Sequence, residues 1–147
     1  MREKDVSTEK ITISGTTQTV VGKNAEFCDK LELVRNKVDW NYLGFSYSNL
    51  LQEEFNELGD AIVAKDEIET LDGAFDVSVI ALNIAYKLFR MKGCDHDEAK
   101  KRTEEGFHRV LDSNLSKLHP DGTVKFRDDG KVMKPETFKA PIFDDLL

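Results

Sequence analysis

Two acid-bearing segments between Leu50 and Arg90 constrain this 147-residue chain more than any other feature. In the first, residues 50–62, the apolar residues recur at helical spacing and form one stripe, made by Leu50, Leu51, Leu58, Ala61 and Ile62. Glu54 falls inside that stripe and Glu57 lies at its edge. A carboxylate on a core-facing surface is costly unless a cation pairs with it or a metal binds it. The segment therefore predicts a helix in which Glu54 has a partner.

The second segment, residues 69–90, is apolar nearly all round, which is typical of a central, buried helix. At 100° per residue its polar side chains fall within a band roughly 60° wide; they are Glu69, Asp72, Asp76, Asn83, Lys87 and Arg90. Carboxylates in rows on two neighbouring helices are how proteins cage a hard divalent cation with oxygen ligands. The pair of segments predicts a site for Mg²⁺ or Mn²⁺, with two or more ions, as used in phosphoryl transfer.

The first acidic run, Glu53-Glu54-x-x-Glu57, resembles a motif of the all-α nucleoside triphosphate pyrophosphatases of the MazG type. In that family Glu-Glu-x-x-Glu on one helix is followed by Glu-x-x-Asp on the next. The resemblance implies an enzyme in which Glu54 and Glu57 bind metal and Glu53 acts as the catalytic base.

The second half of the family pattern is altered here. Asp76 begins an Asp-Val-x-Val run, as a final acid of the motif would, but Gly73 stands where the family has glutamate. Either Asp72 or Glu69 supplies the missing ligand, or Glu69-x-x-Asp72 is itself the Glu-x-x-Asp motif and Asp76 is an extra acid. We prefer a set containing both Asp72 and Asp76, because they lie one turn apart on the same helix face.

The C-terminal third carries a second resemblance. Ser-Asn-x-Ser-Lys at 113–117 and Asp-Gly-Lys-x-x-Lys at 129–134 look like the C-terminal signature of the phosphoribosyl-ATP pyrophosphohydrolase-like branch common in bacteriophages. Together the motifs cover residues 27–141. Asn114 and Lys117 at a helix end, with Lys131 from the tail, would then contact a polyphosphate. A solvated basic tail is the competing interpretation.

Aromatic residues precede the first acidic segment, in a predicted loop over residues 38–47. Members of the family wall the nucleobase pocket at this place, so Trp40 is a candidate for stacking on the base. Alternatively, these rings pack on the outside of the bundle. Asn83 and Lys87, farther along the polar band of the second segment, are additional candidate substrate contacts.

Composition excludes several classes. The net charge of −7 disfavours a general nucleic-acid binder. Cys28 and Cys94 form no disulfide framework or metal spacing, which favours an intracellular protein. The first ten residues lack the apolar core of a signal peptide, and the longest apolar run, residues 77–86, is too short to span a membrane. The predicted location is the cytoplasm, that of the host if a phage encodes the chain.

The predicted architecture is all-α, a four-helix bundle of the MazG-like type with an N-terminal extended arm and an irregular C-terminal tail. In this prediction residues 1–23 form the arm, either extended or folded as a short hairpin. Residues 24–117 form the helical pyrophosphohydrolase domain, and residues 118–147 form a tail that folds over the active site or a neighbouring subunit. We expect helix caps at Asn24, at Ser46 or Ser48, at Asp66, and at Asp95 or Asp97.

The predicted activity is metal-dependent hydrolysis of a (d)NTP, with dGTP as the first guess, to a (d)NMP and pyrophosphate through attack of an activated water. Phosphoribosyl-ATP or a guanosine polyphosphate is an alternative substrate. An alternative outside the enzymes is a non-catalytic helical interaction module. A short bundle with a broadly apolar central helix also predicts a homo-oligomer, a dimer or tetramer, whose sites use residues from two subunits.

Overall fold

The fold is built from helices. A computed structural model describes residues 18–35 and 38–147. The elements are α1 (Val20–Arg35), α2 (Trp40–Phe45), a π-helical turn (Ser46–Leu51), α3 (Gln52–Ala64), α4 (Glu67–Met91) and α5 (His96–Leu115). Within the described ranges there is no strand, only an isolated antiparallel bridge between Phe126 and Val132. The all-α prediction is confirmed. The predicted hairpin of the N-terminal arm falls almost wholly on residues outside these ranges.

The first helix begins earlier than predicted. Thr19 lies just before it and its Oγ1 accepts a hydrogen bond from the Gly22 N–H at 3.0 Å, as an N-cap does. Asn24 is therefore inside α1, and the cap predicted at Asn24 is wrong. The helical part of the chain starts at Val20 and not at residue 24.

A helical rod replaces the loop predicted over residues 38–47. Asp39 caps it by accepting a hydrogen bond from the Tyr42 N–H at 3.0 Å. The backbone stays in the right-handed helical region at both junctions of the π turn, so α2, the turn and α3 run on without a break. The caps predicted at Ser46 and Ser48 are therefore wrong, and the described ranges contain four helical rods.

The remaining helix ends are set by capping residues close to them in the sequence. The Asp66 carboxylate accepts from the N–H groups of Ile68 and Glu69, and that of Asp95 accepts from Glu98. Gly93 follows the end of α4 with φ +95°, a conformation that glycine adopts without strain. The caps at Asp66 and Asp95 match the prediction.

Helix α4 is central, because it packs against all the other helices and the π turn. Its C-terminal half contributes Tyr86 and Phe89 to the main core, which is completed by Ala25, Cys28, Ala99 and Leu146. Polar bonds also tie this half to α1, where Asn24 and Cys28 both donate to Oδ1 of Asn83. The described N-terminal end of α1 lies beside Val79, whose carbonyl is 3.5 Å from Asn24 Nδ2.

The N-terminal half of α4 is more open than predicted. Ile68, Leu71 and Phe75 are exposed on the single chain, and Phe75 has 62% of its surface accessible. Asn24, one turn inside α1, lies at the level of Val79, so α1 packs mainly along the C-terminal half of α4. In the described chain α4 is central but is not buried along its whole length, and the apolar surface from which the sequence predicts an oligomer is exposed on its N-terminal half.

The C-terminal segment folds back on α5. A turn around Gly130, with the Arg127 N–H donating to the Lys131 carbonyl at 2.7 Å, lies between Phe126 and Val132, the two residues of the antiparallel bridge. Farther on, Arg109 binds both carboxylate oxygens of Asp145 at 2.6 and 2.8 Å. Arg102 donates to the Leu146 carbonyl, and the Leu146 side chain is buried in the core. No helix of the described chain has the length and apolar character to cross a bilayer.

Candidate active site

The site is built on the antiparallel pair α3 and α4, which only Lys65 and Asp66 connect. The helices come closest where Gly73 faces Leu58. A Cβ added at Gly73 would lie 3.2 Å from Leu58 Cβ and 3.3 Å from Leu58 Cα, which is tighter than most contacts of a real Cβ. A glutamate at this position, where one alignment with the MazG-type motif places it, would require Leu58 to move. The close approach therefore disfavours a side chain larger than that of glycine here.

This crossing brings carboxylates of both helices into one cluster. Glu54 is half-buried between them. Its pKa is raised above the ordinary value, first by burial and then by the negative charges of its neighbours, Asp76, Glu57, Glu53 and Asp72 in decreasing order. This repulsion links the five side chains electrostatically. We call them the carboxylate cluster. On α4, Asp76 and Asp72 both raise the pKa of Glu54, whereas Glu69 is not among the groups that do.

The cluster carries uncompensated charge. None of the ion pairs formed among the described residues involves any of its five members. Oxygen donors with excess negative charge suit Mg²⁺ or Mn²⁺. In the part of the chain that the structure describes, however, no three His, Cys, Asp or Glu side chains are grouped closely enough to hold a metal ion. Glu53, Glu57 and Asp72 are exposed, so a ligand set would form by rotation of these side chains.

Asn83 and Lys87 have partners inside the bundle. Asn83 accepts hydrogen bonds from α1, and it lies roughly 10 Å along α4 from Asp76 at 1.5 Å per residue. Lys87 is 2% exposed, with its ammonium 4.5 Å from the centre of the Tyr42 ring. The structure does not bring these two residues to the carboxylate cluster. Their predicted role as substrate contacts would require them to leave these partners.

Trp40 also stands apart from the cluster. Tyr42 lies over Lys87 of α4, and residues two apart on a helix point in nearly opposite directions. Trp40 therefore points away from α4, and 72% of its surface is exposed. The predicted stacking of a base on Trp40 would take place on the outer side of this rod.

The predicted phosphate contacts lie near one end of the bundle. Lys117 Nζ donates to Asn114 Oδ1 at 2.7 Å, just at the end of α5. Helices α4 and α5 pack together and are joined at their Met91 and His96 ends, so the far end of α5 lies level with the acidic end of α4. Lys131 is exposed in the C-terminal turn.

Three features of the site region were missed in the sequence. The π turn had a possible signal in the run Ser46-x-Ser48-Asn49, whose polar side chains bind carbonyls of the preceding turn. No sequence signal marks the other two features, which are the contact between Lys87 and Tyr42 and the close approach at Gly73. Both depend on how separate helices pack.

Comparison of the chain with protein-family models, curated proteins and solved structures found no match. The resemblance to MazG-type pyrophosphatases therefore depends on the motifs described above.

Proposed function

We propose that this chain is a metal-dependent nucleoside triphosphate pyrophosphohydrolase that converts a (d)NTP to a (d)NMP and pyrophosphate. The observation that supports it is the carboxylate cluster: a half-buried Glu54 whose pKa is raised, surrounded by four further acids from two helices. Such a group of acids opposes folding unless something positive binds to it. A magnesium–polyphosphate complex is the class of substrate that would bring the positive charge with it.

In this proposal Glu54, Glu57, Asp72 and Asp76 hold two or more Mg²⁺ or Mn²⁺ ions. When bound, the ions would neutralise phosphate charge and make a water molecule more acidic. Glu53, on the exposed side of α3, accepts the proton from that water as its oxygen bonds to phosphorus. The phosphoanhydride bond to the departing pyrophosphate breaks in the same displacement.

The candidate phosphate contacts lie at the end of α5 and in the C-terminal turn. Asn114 and Lys117 lie level with the acidic end of α4, and with Lys131 they would bind the phosphate chain. For the base we keep dGTP as the first substrate to test. Phosphoribosyl-ATP and guanosine polyphosphates are alternatives, since the same cluster of acids would serve all three.

We also propose that the enzyme is a homo-oligomer. Ile68, Leu71 and Phe75 form an exposed apolar stripe on α4, on the helix that carries Asp72 and Asp76. A homodimer or tetramer that buried this stripe would enclose the neighbouring acids, and residues of two subunits would then contribute to each site.

The test is release of pyrophosphate from a panel of dNTPs and NTPs, with Mg²⁺ or Mn²⁺ and with an EDTA control. We expect metal-dependent release from one or a few of them. If no nucleotide of the panel releases pyrophosphate while calorimetry still detects bound metal, phosphoribosyl-ATP and guanosine polyphosphates are the next substrates to test. If there is neither pyrophosphate release nor metal binding, the proposal is contradicted and a non-catalytic interaction module is favoured.

Variants then test the assignment of residues. Glu54→Gln and Asp76→Asn should each abolish turnover and leave the helical circular dichroism unchanged. Asp60→Asn is the matched control, because Asp60 is an exposed acid of α3 that is not among the groups raising the pKa of Glu54. Retained activity in Glu54→Gln or Asp76→Asn would rule out this site.

A further inference from the structure

A two-stranded ribbon follows α5 in the C-terminal segment. Its strands are joined by the bridge between Phe126 and Val132 and by a hydrogen bond of 2.7 Å from the Met133 N–H to the Lys125 carbonyl. We call residues 124–134 the basic ribbon; all of them except Val132 are exposed. A ribbon of two strands is marginally stable in water unless another surface packs on it. In the described chain the ribbon is open to such a surface.

The basic ribbon presents an exposed aromatic ring beside positive charge. Phe126 has 63% of its surface accessible and stands between Lys125 and Arg127 in the sequence. The ribbon carries four cations and two acids; they are Lys125, Arg127, Lys131 and Lys134, with Asp128 and Asp129 at the turn. Because paired strands lie only about 4.8 Å apart, lysine and arginine side chains are long enough to reach the edges of the face that carries Phe126. A matching surface would be apolar at its centre and acidic at its edges.

The exposed apolar stripe of α4 has this character. Ile68, at its N-terminal end, is 78% exposed and stands between Glu67 and Glu69 in the sequence. At 100° per residue, Glu67 and Asp72 fall on opposite sides of the stripe. Residues 53–76, which contain it, hold nine acidic side chains and one lysine. The stripe and the basic ribbon therefore complement each other in both polarity and charge.

The two surfaces lie toward the same end of the molecule and do not meet within one described chain. Helix α5 ends level with the acidic end of α4, and the ribbon follows α5. Both the ribbon and the stripe are exposed, so neither covers the other in the described chain. Two copies related by a two-fold axis would each offer one ribbon and one stripe, and both contacts would form in the same dimer.

We propose that the basic ribbon of one copy packs on the apolar stripe of a second copy, with its lysines beside Glu67 and Glu69 of that copy. The inference rests on the homo-oligomer of the proposed function and specifies the contact that holds it together. In such a dimer Lys131 of one copy lies near the acidic end of α4 in the other. The phosphate contact proposed for Lys131 would then be made across the interface, and each site would be incomplete without the second copy.

The test exchanges charge between the two surfaces. Lys125→Glu with Lys131→Glu places acids on the ribbon, and Glu67→Lys with Glu69→Lys places cations beside the stripe. Each double variant alone should self-associate about tenfold more weakly than the parent, because like charges then face each other. Mixed in equal amounts, the two double variants should form dimers as the parent does, since every ribbon then meets a stripe of opposite charge. Light scattering over a series of concentrations measures these masses.

The matched control is Lys92→Glu with Lys101→Glu, which makes the same change of charge at exposed lysines near the opposite end of the bundle. It should associate as the parent does. A parent that stays monomeric, or a ribbon variant that associates like this control, would overturn the proposal. So would a mixture that fails to dimerise although both double variants keep their helical circular dichroism. If the α4 variant does not fold, the comparison of the ribbon variant with its control decides alone.

These masses need no turnover, so the two proposals fail separately. Restored pairing in a chain that releases no pyrophosphate would leave the contact between ribbon and stripe intact and contradict the enzymatic proposal. Metal-dependent pyrophosphate release by a chain that stays monomeric would support the enzyme and overturn the contact.

Discussion

At the scale of single residues, the two glycines of the α3–α4 pair have opposite roles. Gly73 faces Leu58 at the closest point of the two helices, whereas a Cβ added at Gly59 would meet no atom within 4 Å. Overpacking a tight contact costs about 1–3 kcal/mol, while alanine in an open helical position stabilises by about 0.5–1 kcal/mol.

These contacts predict substitutions of opposite sign. Gly73→Ala should lower the free energy of unfolding by about 1–3 kcal/mol, and Gly59→Ala should raise it by about 0.5–1 kcal/mol. Urea denaturation of both variants measures the difference. Equal stabilisation by the two alanines would show that the helices are farther apart than described here.

Glu54 predicts a dependence of stability on pH. A carboxyl group whose pKa is raised on folding opposes folding when it is charged, so its penalty is absent at low pH and grows as pH rises from about the unfolded value of 4.5 through the raised pKa. Glu54→Gln should therefore be more stable than the parent at pH 8 without metal. The advantage should disappear near pH 4.5.

Calorimetric melts across this range, with Asp60→Asn as the matched control, provide the measurement. A constant difference between Glu54→Gln and the parent at all pH values would indicate altered packing and would contradict a charge effect.

The acids of the site were predictable as a group, and their partners were not. Helical spacing alone brings Glu54, Asp72 and Asp76 toward one surface. Lys87 and Trp40 lie on α4 and α2, and no pattern in the sequence indicates that Lys87 lies against the Tyr42 ring or that Trp40 points outward. Which face of a helix meets which neighbour is a property of the packed structure.

At the scale of elements, the C-terminal segment is attached to α5 by charge as well as by burial. Arg109 holds both oxygens of Asp145 and lowers the pKa of that carboxyl group. A lowered pKa means that the contribution is present above the unfolded value and is lost as pH falls through the folded one. The attachment of this segment should therefore weaken in acid.

Asp145→Asn should loosen the segment without unfolding the bundle. We expect severalfold faster hydrogen exchange at the Leu146 amide, which donates to the Phe143 carbonyl at 2.8 Å. Asp144→Asn is the control, because it removes a neighbouring exposed charge. Equal exchange in both variants would show that burial of Leu146 alone holds the segment.

Elements with local signals were the predictable ones. Asp66, Asp95 and Gly93 mark their helix ends through bonds or dihedral angles within a few residues. The rod from Trp40 was missed because Gly44 and a run of aromatic and serine residues have weak helix propensity. Its contact with α4, including a fully buried Ser46, overrides that propensity.

At the scale of the whole molecule, the sequence predicts a helical bundle with a broad apolar surface on its central helix. Periodicity shows that α4 is apolar nearly all round, but it does not say which part of that surface the same chain buries and which part another copy buries. In the described chain the stripe of Ile68, Leu71 and Phe75 remains exposed.

If a second copy of the chain covers this stripe, Phe75→Glu should disrupt the contact between the two copies. A charge at the centre of an apolar contact is costly to bury, so we expect light scattering to detect monomers at concentrations where the parent is a dimer or tetramer. Val63→Glu is the control, since Val63 is 83% exposed on another face of the α3–α4 pair. Unchanged mass for Phe75→Glu would exclude this stripe as the contact between copies.

The short connection between α3 and α4 has a consequence for the speed of folding. All five members of the carboxylate cluster lie within 24 consecutive residues, so they meet as soon as this one helical pair forms. Contacts so close along the chain tend to form early, before distant segments such as α1 and the C-terminal residues arrive. The repulsion among these acids should then raise the free energy of the folding transition state. Removal of this repulsion in Glu54→Gln should therefore accelerate refolding more than it slows unfolding. Stopped-flow refolding of the parent and Glu54→Gln would measure this, and salt, which screens the same charges, should narrow the difference in rate.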